Sequence, residues 1–329
     1  MENKTLPADL LALMPCPLKL PMESKVSDFV RQLKADLPLT YDVISNAVMQ
    51  QDVFAYIAEA QDIDDLPHIM IAPGFSRFFY PSFVKRFRDT GCFVSAMDFD
   101  PAEVFRREGL IDPKGCYDII ATNPLVFLVD KTRYPDLPTP RRWEDLLQPC
   151  YENKVAYRGH TEDTLCEGVL LSIYQEHGRE GIKKLGASIK CRLHPSQMVA
   201  LAGTHKDQAP AVSVLPLSFA HLVKTNDRVQ VIWPEDGAIM NPVVMLTKKD
   251  CSQAVKALAR YFLTREISHV FMTAGFYHIG PGNEGDMPRS GSFKWVGWGF
   301  LEQNDIGALI EELDRVANAA VLRGAEPCS

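Results

Sequence analysis

One short polar segment places a hydroxyl beside a guanidinium. It is Ser76-Arg77, inside a turn that is otherwise dense in aromatic residues. Arginine holds a carboxylate or an oxyanion through two parallel hydrogen bonds, so this pair predicts contact with an anionic ligand. The alternative is a packed turn, in which Phe78 and Phe79 join the core and Arg77 pairs with a surface acid.

A second segment combines an imidazole with carboxylates. It contains His160, Thr161, Glu162 and Asp163. Imidazole and carboxylate groups together suit first-row metal ions, which makes His160, Glu162 and Asp163 candidates for metal ligands. The alternative is structural: Thr161 caps the helix that follows, and the two acids complement the positive end of its dipole. In either case we expect His160 and Thr161 to face a ligand.

The signatures of catalysis are absent from the sequence. It contains no nucleotide-binding glycine pattern, no G-x-S-x-G motif and no H-E-x-x-H pair. The cysteines show neither a C-x-x-C pair nor a Cys/His spacing that is typical of zinc. We therefore predict a protein that binds a ligand without chemistry and without a cofactor.

Both polar segments lie where a strand is predicted to end. The apolar run 68–72 precedes Ser76, and the predicted strand 154–157 precedes His160. After the second segment, apolar residues recur from Leu165 to His177 at three- and four-residue steps, which indicates a long amphipathic helix. Ligands of open α/β sheets bind at the carboxyl ends of the strands, where backbone N–H groups are free.

Two local motifs carry a resemblance to a known family. The first is P-x-x-W-x-D-L-L from Pro140 to Leu147, and the second is P-E-D-G from Pro234 to Gly237, directly after a predicted strand. With the order of the elements around them, these motifs resemble the type II periplasmic-binding proteins. The specific similarity is to the iron(III)-transport-like branch of the ABC-transporter solute receptors.

The resemblance implies an α/β fold with two lobes, in which two crossing strands serve as the hinge. The β-prone runs 117–130 and 241–248 match those strands. We therefore expect a discontinuous lobe I, residues 1–122 with 240–329, and a lobe II of residues 123–239. The last helix, 306–321, is expected on lobe I. Ligand would be captured in the cleft between the lobes and would close them by hinge motion.

Three further ligand contacts follow from the same resemblance. In the family, a ligand contact follows the first strand. If residues 1–14 form a surface helix and residues 16–21 form the first strand, that contact falls in the region of Lys19. Asn123 lies at the expected hinge, where Pro124 interrupts the run. Ser218 occupies the loop that closes over ligand in the family.

The ligand itself stays open at this point. Iron receptors of the family use two adjacent tyrosines on the second lobe, and this sequence contains no such pair. A metal ion, an oxyanion and a small organic acid remain as classes. The function implied is that of a solute-binding protein for transport or sensing, with an ABC permease or a signalling protein as partner. The alternative is a cytoplasmic enzyme or a ligand sensor on the same fold.

The length and composition of the chain argue against several other functions. The chain has 329 residues, enough for two lobes, with 46% hydrophobic and 23% charged residues. Its formal net charge of −7 argues against nucleic acid as a partner, and no apolar run is long enough for membrane insertion. We expect a monomer.

The expected compartment follows from the first residues and the cysteines. No basic segment followed by an apolar stretch, as in a signal peptide, occurs near Met1. The eight cysteines are scattered without pairing patterns. Both observations favour reduced thiols and the cytoplasm, with the periplasm or cell envelope as the alternative if a leader has been removed.

Overall fold

The structure, a computed structural model, describes residues 9–33, 39–101, 103–159, 165–281 and 292–321. Its strands are β1 (Leu10–Met14), β2 (Tyr41–Ser45), β3 (Ile69–Pro73), β4 (Tyr117–Thr122), β5 (Leu125–Asp130), β6 (Val155–Arg158), β7 (Ile189–Leu193), β8 (Val212–Pro216), β9 (Val229–Ile232), β10 (Ala238–Ile239), β11 (Pro242–Thr247), β12 (Tyr277–His278) and β13 (Phe293–Lys294). Its α-helices are α1 (Cys16–Gln32), α2 (Asn46–Glu59), α3 (Pro81–Phe83), α4 (Glu103–Arg107), α5 (Glu167–Ser188), α6 (Pro195–Leu201), α7 (Leu217–Ala220), α8 (Gln253–Tyr261), α9 (Arg265–Thr273), α10 (Gly297–Gln303) and α11 (Ile306–Ala320).

The chain forms two compact units, each built on its own sheet. Unit 1 comprises Met1–Thr122, Pro242–Met287 and Asp305–Gly307, and unit 2 comprises Asn123–Asn241, Pro288–Asn304 and Ala308–Ser329. The chain passes between the units after Thr122, again after Asn241, and further times in its C-terminal part. This is a mixed α/β architecture with two sheets, as the sequence predicts.

The sheet of unit 1 has the strand order β12-β4-β11-β3-β1-β2. The strands β2, β1 and β3 are parallel neighbours, and β11 runs antiparallel to β3 and β4. Every residue of β1, β3 and β4 is buried. Strands that are buried on both faces read as continuous apolar runs, which is why these segments lack alternation.

The sheet of unit 2 has the order β13-β10-β5-β8-β6-β7, with β9 also paired to β5. The strands β8, β6 and β7 are parallel, whereas β5 is antiparallel to β8. The long helix α5 leads from the region after β6 into β7, although Gly178 at φ 61° interrupts its helical backbone. This connection is the crossover that parallel neighbours require.

The predicted first strand was wrong. Leu10–Met14 is the strand β1, and Cys16 begins the helix α1. A five-residue apolar run has no periodicity that separates a buried strand from a helix. The two prolines that suggested strand ends both lie within this helix. Pro17 is in its first turn, where the missing N–H has no helical partner anyway, and Pro21 lies further inside it.

The predicted strand over residues 92–96 is also wrong. An isolated bridge between Phe93 and Lys248 is the strand-like contact of this segment. The backbone N–H of Ala96 and the hydroxyl of Ser95 bond instead to the Asp118 carboxylate on β4. Ser95 and Ala96 therefore bond to a side chain of β4, and not to the backbone of a neighbouring strand as the apolar composition suggested.

The division of the C-terminal residues differs from the predicted lobes. We expected α11 on lobe I, whereas Ala308 and the residues after it belong to unit 2. Helix α5 approaches α11 so closely at Gly186 that a Cβ there would lie 2.2 Å from the backbone oxygen of Ala317. Contacts between two distant helices of this kind leave no trace in local periodicity.

Candidate functional site

The carboxyl ends of three parallel strands lie side by side in unit 1. Met14 at the end of β1 pairs in register with Ser45 at the end of β2, and β3 lies on the other side of β1. The thiol of Cys16, at the start of α1, lies 3.5 Å from the Ser45 hydroxyl. Backbone turns at such an edge leave N–H groups available to a ligand.

The predicted segment Ser76-Arg77 follows β3 at this edge. Gly74 makes the turn possible because it adopts φ 81°, and its N–H donates to the Pro242 carbonyl at 2.8 Å. Ser76 is 8% exposed, and its hydroxyl oxygen has no hydrogen-bond partner. A buried hydroxyl without a partner costs free energy, so this oxygen needs a partner that the described residues do not supply.

Arg77 is exposed and lies over an aromatic ring. Its guanidinium carbon is 5.0 Å from the centre of the Tyr80 ring. Among the described residues, no carboxylate forms an ion pair with Arg77. The ring of Tyr80 also packs against Gly307, where a Cβ would lie 2.7 Å from two of its ring carbons. Tyr80 is thus held in place and in turn orients Arg77, whose charge stays available.

Lys19 lies within the helix α1 rather than in a loop after a strand. Its ammonium group forms an ion pair with Glu23 at 2.6 Å, one turn further along the helix. An i,i+4 ion pair of this kind stabilises the helix and engages the charge of the Lys19 ammonium group. The prediction that Lys19 contacts ligand depended on the wrong first strand, and the observed pairing gives it no support.

In unit 2 the structure brings two predicted site residues together. The side-chain amide of Asn123 donates to the Ser218 hydroxyl at 2.9 Å, and the backbone N–H of Ser218 approaches the Asn123 amide oxygen at 3.4 Å. Asn123 precedes β5 and Ser218 follows β8, and these strands pair in register at Leu125 and Pro216. The antiparallel pairing is what places both residues at one edge of the sheet.

Sequence reasoning missed His194, which lies at the same edge. It follows β7, and its Nδ1 accepts the backbone N–H of Ser196 at 3.2 Å. The ring of Phe219, next to Ser218, contacts it edge-on at 5.8 Å. Because Nδ1 is an acceptor, the proton lies on Nε2, for which no partner is seen in the described parts of the chain. The Pro-Ser step after His194 was the available signal, since it is typical of a helix start.

The surroundings of His194 keep its ring neutral. Partial burial lowers the pKa of His194, and the nearby charge of Arg158 lowers it further. Arg158 ends β6, next to the predicted elbow. Burial also raises the pKa of the Glu167 carboxyl in the first turn of α5. This edge therefore offers hydrogen-bond donors and a guanidinium, with little negative charge from the described residues.

The elbow from His160 to Asp163 lies outside the described residues, so its role stays a prediction. The structure describes its two ends, where Gly159 and Leu165 form an antiparallel bridge. The backbone N–H of Leu165 donates to Asp314 on α11 at 2.9 Å. In the described ranges, no three His, Cys, Asp or Glu side chains are grouped so that they could hold a metal ion.

Solved structures share the fold of this chain. An apo ferric ion-binding protein A from Pasteurella haemolytica is 15% identical, with a TM-score of 0.61 over 95% of this chain and 97% of that one. Iron-bound HitA from Pseudomonas aeruginosa is 9% identical, with a TM-score of 0.63 over 95% and 99%. A two-component system protein that mediates signal transduction is 15% identical, with a TM-score of 0.65 over 93% and 99%.

These similarities define the class of fold as the two-lobe type II periplasmic-binding fold. Residues 64–304 match the bacterial extracellular solute-binding proteins, and the chain belongs to that family. It is therefore a solute-binding protein with iron(III)-transport-like structural neighbours, as the two sequence motifs predicted. No curated protein sequence matches it. The family and the two iron-related structures are binding proteins rather than enzymes. No helix in the described residues has the length and apolarity to cross a bilayer.

Proposed function

We propose that this solute-binding protein captures a small carboxylate or oxyanion for transport. The observation that supports this most directly is Arg77, an exposed guanidinium without a described acid partner, beside the buried Ser76 hydroxyl that lacks a hydrogen bond. An anionic oxygen would provide a partner for both groups, because it accepts hydrogen bonds from a guanidinium and from a hydroxyl.

The edge of unit 2 supports the same class of ligand. Asn123, Ser218 and the Nε2–H of His194 offer neutral hydrogen-bonding groups next to Arg158. A bare metal ion calls for carboxylate, imidazole or phenolate ligands, and the described edges are dominated by donors. Ferric ion is named for one of the similar structures and iron for another. We infer that this chain prefers an anion, with His160, Glu162 and Asp163 as the remaining metal candidates.

The family supports a proposal for the partner and the compartment. We infer that the protein delivers its ligand to an ABC permease and works in the periplasm or cell envelope, since its family is described as extracellular solute-binding proteins. Hinge closure of the predicted lobes around the connections at Thr122 and Asn241 belongs to this proposal. Cell fractionation with an antibody to the chain tests the location, and recovery in the cytoplasm would contradict it.

A sensor role is the second candidate. It is favoured by the similarity to a two-component system protein that mediates signal transduction. A pulldown separates the two, because transport requires a permease subunit and sensing requires a signalling protein. Substrate turnover by the purified chain would instead support an enzyme.

The ligand assignment is tested in two steps. Native mass spectrometry of freshly purified protein identifies the mass of the ligand that it carries, and metal analysis of the same sample detects iron. Calorimetry with that ligand then compares the parent with Arg77→Ala and Thr161→Ala. Loss of a charge-assisted hydrogen bond costs about 1.5–3 kcal/mol, so we expect binding roughly ten- to more than a hundredfold weaker for Arg77→Ala.

A matched control is Arg31→Ala, which removes an exposed arginine that pairs with Asp28 on the surface of α1. Its affinity should equal that of the parent. If Arg77→Ala and Thr161→Ala also bind like the parent, other residues hold the ligand. Stoichiometric iron without an accompanying anion would favour the metal candidates.

A further inference from the structure

A small cavity lies in unit 1 beside a buried acid. Its volume is about 70 Å³, and its walls combine apolar side chains, among them Leu110 and Ile279, with Ser95, Asp112 and Asp118. A buried water needs roughly 10–15 Å³ of such volume, so the cavity has room for a few water molecules. The proposed ligand contacts do not involve this cavity.

Asp118 fastens an irregular segment to the sheet. The Ser95 hydroxyl donates to one carboxylate oxygen at 2.5 Å, and the Ala96 N–H donates to the other at 2.8 Å. The Met97 N–H in turn donates to the Ser95 hydroxyl at 3.1 Å. Two hydrogen bonds therefore tie Ser95 and Ala96 to this one side chain of β4, and the third is linked to them through the Ser95 hydroxyl. The Ser95 N–H also donates to the Gly115 carbonyl at 2.7 Å.

No positive charge compensates the Asp118 carboxylate. The side chain is 3% exposed, and no lysine, arginine or histidine of the described residues forms an ion pair with it. Asp112, on the loop that closes the cavity, is the charged neighbour that acts on it, and it has the same sign. Asp112 itself accepts hydrogen bonds from three backbone N–H groups, those of Lys114, Cys116 and Tyr117.

The other elements around Asp118 are apolar. Its partner in register on β11 is Met245, and the cavity wall beyond β12 is Ile279. Burial, and to a smaller degree the charge of Asp112, raises the pKa of Asp118 from 3.8 to about 6, although the Ser95 and Ala96 hydrogen bonds act in the opposite direction. The cost of the buried charge thus exceeds the gain from its hydrogen bonds.

We propose that Asp118 and its cavity form a proton-sensitive latch. While Asp118 is protonated, residues 95–97 stay closed against β4, and when the proton is lost they open to water. The direction follows from linkage, because an acid whose pKa is raised in the closed form titrates more readily in any form that hydrates it. Opening is therefore favoured as the pH rises. The cavity provides the space through which water first reaches the carboxylate.

The latch is tested without any ligand. Carbon-13 NMR of the aspartate carboxyl groups should give Asp118 a midpoint near pH 6. Hydrogen exchange of the Ala96 and Met97 amides, corrected for the intrinsic pH dependence of exchange, should show about tenfold less protection at pH 7.5 than at pH 5, given a carboxyl that titrates near 4 when open and near 6 when closed.

Two variants serve as controls. Asp118→Asn keeps the shape of the protonated acid and should remove the pH dependence while it keeps the protection high. Ser95→Ala removes a hydrogen bond that favours the charged form and should move the midpoint upward. Asp118 titrating near pH 4 would overturn the proposal. So would an equal pH dependence in Asp118→Asn, or amides of residues 95–97 that follow the pH dependence of the β3 amides.

Discussion

At the scale of single residues, His278 shows how burial fixes a protonation state. The side chain is fully buried, its Nε2 lies 2.9 Å from the Phe262 carbonyl, and its Nδ1 accepts the Gly280 N–H at 2.9 Å. One nitrogen therefore donates and the other accepts, which only the neutral ring can do. Burial lowers the pKa of His278 to about 4.

This residue makes the protein sensitive to acid. The unfolded chain protonates His278 near pH 6.5 and the folded chain near 4, so the unfolded state binds more protons between these values. The free energy of unfolding is then fully present above pH 6.5 and falls as the pH drops towards 4, by up to about 3 kcal/mol from this group. Asp118 acts in the opposite sense, because its raised pKa favours the folded state in acid.

We expect His278→Asn to reduce the dependence of stability on pH. Urea unfolding at pH 4.5 and at pH 7 measures the difference for parent and variant, and the contribution of Asp118 cancels in that comparison. The variant should be less stable at pH 7, because it loses the bond to Phe262, and it should lose less on acidification. An equal loss in both proteins would show that His278 does not titrate in this range.

At the scale of secondary-structure elements, the two sequence motifs are hydrogen-bonded to each other in unit 2. The Trp143 indole N–H donates to the Gly237 carbonyl at 2.8 Å, and the Trp143 backbone N–H approaches the Asp236 carboxylate at 3.3 Å. Lys294, on β13, pairs with Asp236 at 2.8 Å and with Glu176 on α5 at 2.7 Å. The P-x-x-W-x-D-L-L and P-E-D-G segments thus tie β13 and α5 to the sheet.

The contact of α5 with α11 gives a test of helix packing. A Cβ at Gly186 would lie 2.2 Å from the Ala317 carbonyl oxygen and 2.9 Å from the Ala320 Cβ. We expect Gly186→Ala to lower the free energy of unfolding by about 1–3 kcal/mol, because the backbone of α11 must move. Denaturant unfolding followed by circular dichroism measures the change.

The matched control is Gly299→Ala, in α10, where a Cβ would meet nothing within 4 Å. It should leave stability unchanged or raise it by up to about 1 kcal/mol through helix propensity. If Gly186→Ala is as stable as the parent, α11 does not pack on α5 in the manner described.

At the scale of the whole molecule, the cysteines report on its redox state. The seven described cysteines form no disulfide with one another, and Cys16 and Cys150 are exposed. Burial raises the pKa of the Cys166 thiol to about 11, which keeps it in the unreactive protonated form at neutral pH. Three of the seven, Cys116, Cys166 and Cys191, are buried.

A thiol titration should therefore proceed in two stages. We expect Cys16 and Cys150 to react with a maleimide in the folded protein, and the three buried thiols only after denaturation. Peptide mass spectrometry of protein purified without reductant but protected from air identifies each adduct, and close to all eight thiols should be found free in total. Two or more missing pairs would indicate disulfides and an oxidising compartment.

The sequence alone predicted the α/β class, the family and the Ser76-Arg77 turn. Those features depend on local signals: apolar runs bounded by turn residues, and short motifs such as P-E-D-G after β9. The strand β1 was missed because a five-residue apolar run reads equally well as strand or helix.

Only the tertiary structure decided which distant residues meet. The hydrogen bond between Asn123 and Ser218 depends on the register of β5 and β8, and the position of α11 depends on the absent side chain of Gly186. His194 joins the candidate site because β7 is a neighbour of β6. Each of these contacts joins residues that are tens of positions or more apart in the sequence. Local sequence carries no information about such pairings, because packing rather than propensity selects them.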